Sequence, residues 1–209
     1  MNTMLRTIGA VAALALAVPA FAQGPQAQPT GPRVGLGVSI DTLGFASAFT
    51  ANTTALVSPK LYIPIVVAPN VRIEPEIGWV RARNDNDSTS DSAFDLGIGA
   101  MFLKSVNQNV DLYGGARLRV VWMRMEQVTG GGGFEKTEQR NFTFAPVIGG
   151  KYKPSPWFSV GVEAQLNFIF LGNEDITTTA PGGATVKTTG SGGDAQTLAG
   201  LAFLRVYFL

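Results

Sequence analysis

The chain contains no cysteine and no histidine. Without cysteine there is no disulfide framework, no thiol nucleophile and no thiolate metal site. Without histidine, Ser-His and Cys-His catalysis, imidazole metal ligation and a histidine pH switch are excluded together. The net charge is only +1, which gives no basic stripe of the kind that binds nucleic acid. Long apolar runs are also missing. Beyond the first 22 residues, nothing approaches the roughly 20 apolar residues that a membrane-spanning helix needs.

What is present begins with a secretory pattern. Met1–Arg6 carries one positive charge, Ile8–Val18 is an eleven-residue apolar run, and Ala20-Phe21-Ala22 places small residues where a signal peptidase inspects the chain. Residues 1–22 are expected to be a signal peptide, cleaved before Gln23. Residues 23–32 (QGPQAQPTGP) read as an extended, flexible leader. Removing the signal takes away Arg6 and leaves a formally neutral chain of about 187 residues, enough for one domain.

From residue 33 to 209 the chain alternates. Eight stretches place apolar residues at every second position: 33–40, 60–68, 71–80, 93–103, 110–122, 141–152, 158–171 and 195–209. Period-two alternation is the signature of a strand with two chemically different faces. In 71–80, Val71, Ile73, Pro75, Ile77 and Trp79 share one face, while Arg72, Glu74, Glu76 and Gly78 share the other. Pro64, inside the second stretch, cannot donate to a ladder and is expected to mark a bulge or an unpaired position. Three connections are short (69–70, 104–109, 154–156). Four are long (41–59, 81–92, 123–140, 172–194), and the two kinds alternate. The loop around Gly130-Gly131-Gly132-Gly133 and the Thr/Gly-rich stretch 172–194 read as flexible. An even number of strands, joined by alternating short turns and long loops, predicts an all-β, eight-stranded antiparallel up-and-down transmembrane β-barrel with apolar residues outside.

Aromatic residues form two expected girdles. Trp79, Trp122, Phe142 and Phe170 fall near the long-loop ends. Phe102, Tyr113, Tyr152, Trp157 and Phe208 fall near the short-turn ends. The inward set carries an interior charge cluster of four acids and four bases: Arg72, Glu74, Glu76, Asp95, Arg117, Arg119, Glu163 and Arg205. The lumen of an eight-stranded barrel is just filled by side chains, so these charges are expected to pair into a plug. Glu74 and Glu76 resemble an acid/base pair, but Arg72 beside them favours charge pairing. The Gly35-x-Gly37 and Gly97-x-Gly99 pairs lack the strand-to-helix context of a phosphate loop. Asp85, Asp87 and Asp91 lack the glycine and distal glutamate of a calcium loop. No catalytic, cofactor-binding or metal-ligating set is therefore expected, and no cofactor.

On this topology, and on the aromatic C-terminal strand Leu204-Arg205-Val206-Tyr207-Phe208-Leu209, the chain resembles the small eight-stranded outer-membrane proteins of the OmpA/OmpX type over residues 33–209. No peptidoglycan-binding domain follows, so the OmpX-like end of that group is the better fit. The resemblance implies outer-membrane lipid around a monomeric barrel. It also implies recognition of the last strand by the barrel-assembly machinery. That strand usually ends on phenylalanine, whereas here Phe208 is penultimate. Placing Phe208 outward keeps Arg205 out of lipid, where it would cost roughly 2–4 kcal/mol near mid-bilayer. The expected function is a non-enzymatic outer-membrane barrel that presents its loops. The alternative is a narrow, porin-like channel for ions or solutes. No extracellular ligand can be named from the residues.

Overall fold

The computed structural model describes residues 34–41, 59–84, 89–129 and 132–208. The signal peptide, the leader and connection 42–58 lie outside the described residues. In chain order the strands are β1 (Val34–Asp41), β2 (Lys60–Tyr62), β3 (Ile65–Ala68), β4 (Val71–Asn84), β5 (Thr89–Ser105), β6 (Val110–Thr129), β7 (Gly133–Ser155), β8 (Phe158–Phe170), β9 (Glu174–Thr179), β10 (Thr185–Gly190) and β11 (Asp194–Phe208). The described residues contain no helix.

Eight strands form the ring, with β2 and β3 counting as two halves of one. Each strand pairs antiparallel with its neighbour from β1 through β8. β8 then pairs with β11, and β11 closes on β1 from Val34↔Phe208 to Asp41↔Leu201. Closure removes both sheet edges, so within the ring every ladder finds a partner without water.

Pro64 splits the second strand, as its missing N–H requires. The ladder is carried past it by two neighbouring bonds: Ile63 N donates to Pro75 O (3.0 Å), and Gly35 N donates to Pro64 O (2.9 Å). A register shift follows between Val66 and Ala68. The short turns lie at Pro69–Asn70, 106–109 and Pro156–Trp157. The third falls later than expected, because a bulge between Tyr152 and Ser155 lets β7 run on to Ser155.

Three expected long loops are largely strand. In 81–92, β4 and β5 stay paired out to Asn84↔Thr89. In 123–140, β6 and β7 pair out to Thr129↔Gly133, so Gly133 lies in a strand, while Gly130 and Gly131 lie outside the described residues. Gly132 has φ +86°, a conformation glycine adopts without strain. In 172–194, β9 and β10 form a threonine-rich hairpin, and β9 adds to the projecting part of β7 from Phe134↔Thr179 to Gln139↔Glu174. At 20 and 23 residues, β6 and β7 are about twice the 9–11 residues that cross a bilayer. They therefore project beyond the membrane at the long-loop end.

The two faces separate as the alternation demands. Leu36, Val38, Ile77, Leu96, Ile98, Leu118, Val162, Leu198 and Val206 are exposed outward, where lipid would cover them. Arg72, Arg117 and Arg205 are among the largest fully buried side chains. Glycines on the inner face make room for them. At Gly97 a Cβ would lie 2.6 Å from Arg119 Cγ and 2.8 Å from Glu76 Cγ.

Candidate functional site

The interior is organised around Glu74 on β4. Its carboxylate lies 2.6 Å from Arg72 Nε, 2.7 Å from Arg117 Nη2 and 2.8 Å from Arg205 Nη2. These cations come from β4, β6 and β11, so one acid ties together strands from different parts of the wall. Arg117 extends the network. It donates to Glu76 (2.8 Å) and, through Nε and Nη2, to both oxygens of Glu163 (2.9 and 3.0 Å). Glu163 also accepts from Tyr113 Oη (2.9 Å) and Gln165 Nε2 (2.6 Å). Arg119 lies 3.6 Å from Glu76 and donates to Asn167 (2.6 Å) and Gln165 (3.2 Å). Seven of the eight predicted charges thus form one connected network. The eighth, Asp95, lies 3.6 Å from Lys60.

Aromatic rings fill the space beside the guanidinium groups. Arg117 lies 4.8 Å from the Tyr62 ring centroid, Arg72 lies 4.9 Å from that of Tyr113, and Arg205 lies 3.8 Å from that of Phe203. Tyr113 lies near a short turn in sequence but on the inward face of its strand, and it packs in the interior rather than in the girdle. It is buried, because on β6 it shares the inward parity of Asp111 and Arg117. The other girdle residues (Trp79, Trp122, Phe142, Phe170, Phe102, Tyr152, Trp157 and Phe208) are all exposed on the outer face.

The charge cluster read from the sequence left out several interior partners. Asp111 stands directly opposite Lys151 in the β6–β7 register. It takes Lys151 (3.1 Å), Lys153 (2.6 Å) and the Ser105 hydroxyl (2.8 Å) near the short-turn end. Lys60 and Tyr62 face inward from the short strand β2, and Tyr62 shares a 2.5 Å hydrogen bond with Ser39. Parity alone would have found them: Lys151 matches Asn141 and Thr143, and Lys60 matches Tyr62.

Chemically, this is a closely packed set of mutually paired acids and bases. Glu74, Glu76 and Glu163 each face at least one arginine. Removing one partner of such a set leaves an uncompensated buried charge, typically at about 3–5 kcal/mol.

These features define an all-β membrane barrel with apolar side chains outside and paired charges inside. The family model "Outer membrane protein beta-barrel domain" matches residues 8–195, and the chain belongs to that family of outer-membrane proteins. Among solved structures, it is similar to a major outer membrane protein from Thermus thermophilus, at 9% identity and a TM-score of 0.55 over 83% of this chain and 98% of that one. It is also similar to Neisserial surface protein A, at 14% identity and a TM-score of 0.47 over 84% and 95% of the two chains. The attachment invasion locus protein Ail of Yersinia pestis matches at 11% identity and a TM-score of 0.41 over 83% and 96%. A search among curated protein sequences returns no match.

Proposed function

We propose that this chain is a non-enzymatic barrel that makes contacts outside the cell through β-structure carried above the membrane. The observation that supports this most is the hairpin β9–β10. It prolongs the projecting wall of β7, and among the described residues β10 pairs only with β9. Thr185–Gly190 therefore offers a free row of backbone donors and acceptors, and almost all of its residues are exposed. A free edge of this kind invites pairing with an external chain. The paired interior supports the same reading, since a lumen crossed by Glu74, Arg117 and Glu163 leaves little room for solute.

The test compares cells carrying the full chain with cells whose chain has 173–193 replaced by a two-residue turn. The shortened barrel is expected to reach the outer membrane and to leave small-solute uptake unchanged, while surface attachment of the cells falls. Unchanged attachment together with altered solute uptake would contradict the reading and favour a narrow channel.

A further inference from the structure

At the long-loop end, register sorts the outward side chains of β4 to β7 into rows. Ile77, Leu96, Val120 and Phe142 stand opposite one another and are wholly apolar. Two residues further along each strand, the row is Trp79, Phe94, Trp122 and Arg140. Two residues further again, it is Arg81, Ser92, Arg124 and Glu138, continued on β9 by Asp175. Within four residues the surface passes from hydrocarbon-compatible through aromatic to charged. That gradient marks the membrane–water interface, where tryptophan settles at headgroup level.

The aromatic and charged rows enclose a groove of about 420 Å³. Trp79, Phe94 and Trp122 supply its apolar side, with the Phe94 and Trp122 rings 5.6 Å apart. Arg124, Arg140 and Ser92 contribute polar groups, and Glu138 and Asp175 also line it. Both acids are answered by lysines: Glu138 lies 2.8 Å from Lys136, and Asp175 lies 3.5 Å from Lys187. Arg124 is paired with Glu126. Among the described residues, Arg140 is the lining cation with no carboxylate partner. One face of its guanidinium rests 5.4 Å from the Trp122 ring centroid. A cation–π contact of that kind occupies a ring face and leaves the N–H edge available for an anion.

We propose that this groove seats the phosphorylated headgroup of an outer-leaflet lipid. Arg140 carries the phosphate, and the three aromatic rings pack against the upper part of the acyl chains. The assignment rests on the long-loop end facing outward. The membrane's own lipid is the occupant because the groove lies one row above a purely apolar surface, within reach of an acyl chain. Its apolar side also offers free inorganic phosphate nothing to bind.

Tryptophan emission can test this directly. Two of the three tryptophans line the groove, and the third, Trp157, sits at a short turn. Trp157→Phe protein in neutral detergent is titrated with a bisphosphorylated disaccharide glycolipid, with the same lipid stripped of both phosphates, and with inorganic phosphate alone. Heat-modifiability on a gel checks that each variant is folded. A saturable emission change is expected with the phosphorylated lipid only. Arg140→Gln should weaken it about fivefold or more, and Arg140→Lys should restore part of the loss. Equal binding of the dephosphorylated lipid, or an Arg140→Gln variant as tight as its parent, would overturn the proposal. Saturation by inorganic phosphate alone would overturn the lipid assignment.

Discussion

Glu74 is the residue on which the interior depends most, because three arginines from three strands share its carboxylate. Glu74→Gln keeps the shape and removes the charge. It is expected to cost about 3–5 kcal/mol in a denaturant unfolding series in detergent, since Arg72 and Arg205 would be left buried with little compensation. Glu126 makes a comparable pair with Arg124 on the exposed outer surface, and Glu126→Gln in the same assay should cost no more than about 1 kcal/mol. On the lipid side, Leu118→Arg should cost about 2–4 kcal/mol if it lies near the midplane. If the Glu74 and Glu126 variants were equally stable, the network would not be the buried lock described here.

The strands themselves were legible in the sequence, because alternation with period two is hard to imitate over eight consecutive stretches. The outward placing of Phe208 also follows from it, since the opposite phase would put Arg205 in lipid. What could not be read was how far the strands continue beyond the membrane. Past Val80, Trp122 and Phe142 the outward side chains become mostly polar as well (Arg81, Arg124, Glu126, Arg140, Glu138, Lys136), so the contrast that reveals a strand disappears. Segments such as Thr89–Ser92 and Phe134–Arg140 then look like loop although their backbones are paired. The hairpin β9–β10 was hidden in the same way, by threonine and glycine on both faces.

That hairpin carries its own prediction. Asp175 accepts a hydrogen bond from the Thr189 hydroxyl (2.8 Å) and faces Lys187, which together hold its carboxyl below the ordinary 3.8. A depressed carboxyl stabilises the folded hairpin above its ordinary value, and that stabilisation fades as pH falls through the lowered value. Asp175→Asn should therefore loosen β9–β10 at neutral pH, read as faster amide exchange in Glu174–Gly190. The exchange of the membrane-level strands should be unchanged. Slowed or unaltered exchange in the hairpin would show that the cross-strand pair does not hold it.

At the scale of the whole molecule, the closed ring settles membrane residence and the filled lumen bears on function. Apolar side chains cover the outside, and Tyr62, Tyr113, Gln165 and seven networked charges cross the inside. A lumen locked in this way leaves contact-making to the projecting β-structure. Planar-bilayer recording of the purified protein tests it most directly. A locked lumen gives no stable, large conductance for the full chain or for the chain with 173–193 replaced by a short turn. A leak is predicted only when the lock is broken, as in Glu74→Gln. A stable, large conductance of the full chain that survives removal of the hairpin would contradict it and make the barrel a channel.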